Sequence, residues 1–278
     1  MTTSGGEATA EQAGRCRAFR SLHASGCFVI PNPWDAGSAH VLAGLGFKAL
    51  ATTSSGLAWS RGQRDGGVPL KEALAHFALL AAEVDVPVSA DFQNGFAVEP
   101  EQVARNVTRA AMTGIAGLSI EDASGDPAAP LYDFSLAVER VRAARRALDA
   151  QGQGLVLTAR SEGFITGRPD LAETIRRLQA FAEAGADCLF APGLPGANEI
   201  GEVVQAVAPR PVNVLDGGGF SFAELRDLGV RRISVGGALA RAAWTAVLEA
   251  ANEIAAEGQF TLLRRAASYD AVQKLFPE

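Results

Sequence analysis

The 278-residue chain is poor in the side chains that most often advertise a function. Its three cysteines, Cys16, Cys27 and Cys188, are too few and too scattered for a disulfide framework or a zinc site, and their scarcity fits a reducing cytoplasm. Its three histidines, His23, His40 and His76, all fall in stretches that read as helix, so neither a Ser-His-Asp triad nor a histidine metal cluster is in sight. Basic residues are the minority: 25 Lys and Arg against 31 Asp and Glu give a net charge of -6. That excludes the basic face of a nucleic-acid or anionic-membrane binder. No apolar run reaches the ~18 residues of a membrane span. The opening MTTSGGEATAEQAG lacks the apolar core of a signal peptide and reads as a flexible tail over 1–14.

What is there is a chain 48% hydrophobic, rich enough to bury a large core. Eight short apolar or β-branched runs recur, at 27–30, 49–52, 87–92, 117–121, 155–160, 188–191, 211–215 and 232–235. Amphipathic stretches of helical length separate most of them, and glycines at 44, 46, 185 and 229 sit where a helix stops and the next strand begins. Near-continuous apolar strands alternating with helices are parallel β/α architecture, and eight repeats favour a closed (β/α)8 TIM barrel over an open sheet. No linker interrupts 15–257, which reads as one barrel domain. The segment 258–278 carries Phe260, Leu262, Leu263, Tyr269, Val272, Leu275 and Phe276, too apolar for a free tail, and reads as a helical extension packed on a partner subunit or back on the barrel.

The active site of such a barrel lies at the C-terminal ends of the strands. That rule selects Asn32, Trp34 and Asp35 after the first strand, residues 52–56 after the second, 91–95 after the third, Glu121 and Asp122 after the fourth, and Arg160, Ser161 and Glu162 after the fifth. Asn213 lies on the seventh. Asp91 and Gln93 share strand parity and so face one side. Asp91 and Glu121, with Asp122 or Glu162, form a hard-cation site suited to Mg2+, which needs only one or two carboxylates beside its waters. Salt bridges closing the barrel mouth are the plainer reading of the same acids. Arg160 offers a planar, always-charged fork to a carboxylate or enolate oxygen. Cys27 and Cys188 open their strands at the opposite, stabilising end, so no catalytic thiol is expected. The glycine loops at 216–219 and 236–237 are either an anion cradle of backbone N–H groups or simple turn chemistry. Trp34, Trp59 and Phe92 either wall a small pocket or pack the core.

The segments PNPWDAGSA (31–39), TTSSGLAWS (52–60) with Arg64 and Asp65, VSADFQNGF (88–96), SIEDASGDP (119–127) and LTARSEGF (157–164) resemble the isocitrate lyase / phosphoenolpyruvate mutase superfamily, in that family's order, over roughly 15–257. The resemblance implies a TIM barrel whose last helix is exchanged between subunits, in a homodimer or homotetramer. It implies Mg2+, with Mn2+ as the alternative ion, and a small 2-oxo or 2-hydroxy carboxylate substrate reacting next to an enolate. By position, Ser55 would bind the substrate carboxylate and the backbone N–H groups of Gly56 and Leu57 would help form the oxyanion site. Asp65, Asp91 and Glu121 would hold the metal, partly through waters, with Gln93 standing where the family has a second acid. Arg160 would face the enolate oxygen, and Asn213 and Trp34 would contact substrate. The loop after the fourth strand, DASGDPAAPLYDF, lacks the Lys-Lys-Cys-Gly-His motif of true isocitrate lyases. The thiol acid of those enzymes is therefore missing, which leaves Glu162, Asp122, Tyr132 or water for that role.

Three readings follow: a Mg2+-dependent lyase or decarboxylase, a phosphonate P–C mutase or hydrolase, and a silent barrel that binds a 2-oxo acid. Decarboxylation needs the least acid help, because carbon dioxide leaves without a proton.

Overall fold

The structure, a computed structural model, describes residues 4–276. In chain order its elements are α1 (Ser4–Ala24), β1 (Phe28–Ile30), α2 (Ala36–Gly44), β2 (Leu50–Ala51), α3 (Ser54–Ser60), α4 (Leu70–Glu83), β3 (Val88–Asp91), α5 (Pro100–Ala111), β4 (Gly117–Glu121) and α6 (Phe134–Asp149). They continue with β5 (Val156–Arg160), α7 (Leu171–Glu183), β6 (Cys188–Phe190), α8 (Ala197–Val207), β7 (Val212–Leu215), α9 (Phe222–Asp227), β8 (Arg232–Ser234), α10 (Ala238–Glu257) and α11 (Tyr269–Gln273). Helix starts follow local chemistry. Asp35 and Ser38 form a capping box on α2, Asp170 caps α7, and Pro100 opens α5 where its missing N–H costs nothing. Among the described residues no helix is long and apolar enough to cross a membrane.

All eight strands run parallel in the order β1-β8-β7-β6-β5-β4-β3-β2. The seam between β1 and β2 closes through Ala51 N donating to Pro31 O at 3.0 Å and Asn32 Nδ2 donating to Thr52 O at 3.1 Å. Asn32 Oδ1 in turn accepts the N–H groups of Val235 and Gly236 at 2.9 and 2.8 Å. One side chain thus staples β2 to β8 across the barrel mouth. The chain is a (β/α)8 TIM barrel.

Strand parity divides the core. Val88, Ala90, Leu118, Ile120, Leu157, Ala159, Leu189, Val212, Val214 and Ile233 alternate with the inward set and are buried beneath the helices. The inward set is polar for a barrel interior: Ser89, Ser119, Thr158, Asn213, Arg232 and Ser234 are all buried.

Helix α1 seals the N-terminal end of the barrel. Phe19 is fully buried, and its ring lies 2.9 Å from where a Cβ on Gly117 would stand, so only glycine admits it there. His23 sits beside it, ring centroids 4.7 Å apart. Gln12 Nε2 donates to the carbonyls of Ala111 and Ile115 at 2.7 and 2.9 Å. The expected tail over 1–14 is therefore corrected: from residue 4 it is part of α1, and Gln12 holds the helix to the barrel; residues 1–3 lie outside the described residues.

After α10 the chain makes a turn of 3-10 helix (Leu262–Arg265) and the short α11, and Phe276 comes back to α2, 6.4 Å from the His40 ring. In α10 itself only Ala240 is buried, while Trp244, Val247 and Leu248 are exposed.

Candidate active site

The C-terminal ends of the strands open into a cavity of about 220 Å3. Ser54, Ser55, Asp65, Asp91 and Arg160 line its mouth, and Asn213 and Arg232 lie in its depth. Ser55 reaches the cavity because residue 237 is glycine: a Cβ there would stand 2.7 Å from Ser55 Oγ and 3.1 Å from the Trp59 ring.

Arg160 organises the mouth. Its Nη1 donates to Asp91 Oδ1 at 2.9 Å and lies 3.2 Å from Glu121 Oε2, and its Nε donates to Glu162 Oε1 at 2.7 Å. Register explains the meeting: Glu121 on β4 stands directly opposite Arg160 on β5. Burial opposes the charge on Arg160, but Glu162, Glu121 and Asp91 outweigh it and hold the guanidinium more firmly protonated than usual. Burial pushes the Glu121 carboxyl up to about 8, with Arg160 pulling it back and Glu162 and Asp91 adding to the push. Asp91 spends its second oxygen on Ser54 N at 2.9 Å, which locks the start of α3 to β3. The exposed loop after α3 brings Asp65 towards Ser54 and Asp91, where desolvation and the Asp91 charge raise its carboxyl above the usual range while Ser54 lowers it.

Ser55, Asp65, Asp91, Arg160 and Asn213 therefore share one cavity, with Glu121 packed behind Arg160. The other expected residues lie elsewhere. Gly56 N donates to Thr53 Oγ1 at 3.4 Å and Leu57 N to Thr53 O at 3.0 Å, so both proposed oxyanion donors are consumed by the first turn of α3. Gln93 does not line the cavity, although its carbonyl accepts the N–H of Glu121 at 3.0 Å. Strand β3 ends at Asp91, and Gln93 takes φ +47°, outside the strand conformation on which the parity argument depends, so it lines a small void between Asp91 and His76 that adjoins the cavity. Trp34 packs its Cβ against Gly56 rather than lining the cavity. Asn213 does line the cavity, but its amide is already engaged, accepting from Arg232 Nε at 2.8 Å and donating to Ser234 Oγ at 2.9 Å.

The acid candidates also differ from expectation. Asp122 accepts Glu162 N at 2.8 Å and Arg177 Nη1 at 3.2 Å, tying β4 to β5 and α7. Tyr132 is buried under the Arg140 guanidinium, and Glu162 is fixed on Arg160. None of the three lines the cavity. The glycine loop at 216–219 is turn chemistry: the N–H groups of Gly218, Gly219 and Phe220 all close on the Asp216 carboxylate, at 3.1, 2.9 and 3.2 Å, leaving no cradle for an anion. The residue that the strand-end rule missed is Arg232. It begins β8, where a barrel residue is expected to serve stability, and nothing in the sequence marks it as turned into the cavity.

Among the described residues no three carboxylates, histidines or cysteines converge as a ready-made metal cage. The mouth nonetheless suits a divalent ion held largely through waters. Asp91, Glu121 and Glu162 share the single guanidinium of Arg160, with Asp65 close by, so acids outnumber the one cation at the mouth.

The model of the phosphoenolpyruvate phosphomutase family matches residues 19–255. A solved Burkholderia cenocepacia J2315 chain, described in general terms as a lyase/mutase, is 48% identical, with a TM-score of 0.93 over 95% of this chain and 96% of its own. An uncharacterized protein of Mycobacterium tuberculosis is 34% identical over 220 residues, 78% of this chain and 81% of its own length. The 2,3-dimethylmalate lyase of Eubacterium barkeri is 28% identical over 197 residues, 68% of this chain and 67% of its own length.

Proposed function

For a chain that belongs to the phosphoenolpyruvate phosphomutase family, and so to a superfamily of lyases and mutases, we propose a Mg2+-dependent lyase that cleaves a C–C bond, or decarboxylates, next to the carbonyl or hydroxyl carbon of a small 2-oxo or 2-hydroxy carboxylate. The observation that carries this reading is Arg160. A permanently charged fork lines the cavity and is aimed by three buried or half-buried carboxylates, where an enolate oxygen would develop.

Asp65, Asp91 and Glu121 would hold the ion, chiefly through waters. A divalent cation supplies positive charge to the enolate oxygen, an effect typically worth several kcal/mol in the transition state. The chain's own residues do the rest. Ser54 and Ser55 orient the substrate carboxylate at the start of α3, and Gly237 keeps that space open. Arg160 is fixed before substrate arrives, so little reorganisation remains at the moment of reaction. With Glu162, Asp122 and Tyr132 out of the cavity and Asp65 and Asp91 engaged with the ion, no carboxyl or phenol is left over to protonate a leaving carbanion, which favours a reaction whose departing group needs no proton. The enzyme would act as a homodimer or homotetramer, with α10 and the 258–278 segment covered by a neighbouring subunit; the bare Trp244, Val247 and Leu248 favour this.

Phosphonate chemistry is the second reading, favoured by the family alone. The two are separated by incubating the protein with Mg2+ and either 2-oxo and 2-hydroxy carboxylates or phosphonopyruvate. We expect a 2-oxo acid or carbon dioxide as product from the first set and no phosphate from the second. Phosphate release or mutase turnover without C–C cleavage would replace the lyase reading.

A further inference from the structure

The floor of the cavity holds a charge that the chemistry at the mouth does not use. Arg232 is 5% exposed, and its guanidinium lies inside the barrel. Nε donates to Asn213 Oδ1 at 2.8 Å and Nη1 donates to Thr158 Oγ1 at 3.0 Å. The third contact is His23 Nε2, 3.4 Å from Nη1. His23 bonds Phe19 O through Nδ1 at 2.8 Å, so Nδ1 carries the proton and Nε2 is free to accept. Burial, helped by the Arg232 charge, drives the His23 pKa down to about 3, which keeps the imidazole neutral.

Among the described residues no carboxylate pairs with Arg232. Its titratable neighbours are the Cys188 thiol, which burial keeps protonated and neutral, and the like-charged Arg160. Arg160 has three carboxylates; Arg232 has none. Among the described residues the side-chain hydrogen bonds of Arg232 run through Nε and Nη1 and none through Nη2, and Arg232 lines the cavity. Ser234 Oγ already accepts from Asn213, so its own proton is available, and Ser119 and Ser89 line the same depth. A buried guanidinium with no counter-charge is one of the costlier things a core can contain, and this one faces open space lined by hydroxyl donors.

We propose that Arg232, with Ser234 and Ser119, forms a second anion subsite on the barrel floor that takes a carboxylate, the distal acid group of a substrate whose reacting end lies under Arg160. The inference rests on the lyase reading for the identity of that substrate. It makes the substrate a diacid that spans the cavity, held at one end by the mouth and at the other by the floor.

The test compares matched acids by calorimetry: succinate against butyrate and glutarate against pentanoate, each with and without Mg2+. The proteins are the wild type, Arg232→Met, which keeps the length and removes the charge, and Arg232→Lys, which keeps a charge in the core should the methionine variant fail to fold. The wild type is expected to bind at least one diacid about 30-fold more tightly than its monoacid, the worth of one charge-assisted hydrogen-bonded pair. Arg232→Met is expected to reduce that ratio to within about three-fold, and Arg232→Lys to leave it between the two. An unchanged ratio in either folded variant would overturn the subsite. So would a wild-type Tm raised as much by chloride as by the diacid, which would assign the floor to an inorganic ion. Loss of the Mg2+ effect with the diacid preference intact would sink the lyase reading and leave the floor subsite standing.

Discussion

Replacing Arg160 with methionine is expected to lower kcat/KM by a factor of at least about 10²–10³ and to cost the fold about 3–5 kcal/mol, the usual price of breaking a buried ion pair from one side. The reason is geometric. One guanidinium serves Asp91 through Nη1 at 2.9 Å, Glu121 at 3.2 Å and Glu162 through Nε at 2.7 Å. Without it, three acids face each other in a site where burial already pushes Glu121 up to about 8. Arg160→Lys should keep much of the stability and little of the activity, because a single ammonium cannot reproduce a fork that bonds along two edges. Urea unfolding and steady-state kinetics on the two variants check both halves. Activity of Arg160→Met within ten-fold of wild type would remove Arg160 from the chemistry.

Phe19→Ala is expected to cost about 3–5 kcal/mol, the range for truncating a fully buried aromatic. Phe19 is fully buried and packs edge-on against His23 and Phe28, with ring centroids at 4.7 and 6.4 Å. Its ring occupies the space that Gly117 leaves empty. Relaxation cannot refill that space easily, because the strands on either side are held by the β4–β5 ladder. The urea midpoint should fall with an unchanged m-value. A loss under about 1 kcal/mol would mean that α1 does not seal the barrel.

Much of this was legible in the sequence. Short apolar or β-branched runs separated by amphipathic stretches announced eight strands, because the face of each strand beneath the helices is apolar while the small polar residues of the inner face leave the run recognisable. The end residues Asp91, Glu121 and Arg160 were found by position, and register then brought them together. What stayed hidden depended on conformation beyond the strand. Alternation holds only while φ stays extended, and it stops at Asp91, so Gln93 went astray. The N–H groups of Gly56 and Leu57 looked free until Thr53 capped α3. The polar N-terminal stretch looked like a tail because its attachment is a single buried amide, Gln12. Arg232 escaped because an arginine opening a strand reads as surface, and only closure of the barrel turns it inward. Asn32 was placed after the first strand, but its role as the staple across the β1–β2 seam required knowing that this seam has no backbone ladder.

The most direct test of the account is calorimetric titration of oxalate, an enolate mimic, with and without Mg2+, on the wild type and on Asp91→Ala. The account predicts tight binding to the wild type only when Mg2+ is present, and loss of that binding in Asp91→Ala. Equal binding with and without the metal, or binding that survives Asp91→Ala, would contradict an enolate site built on Asp91, Glu121 and Arg160.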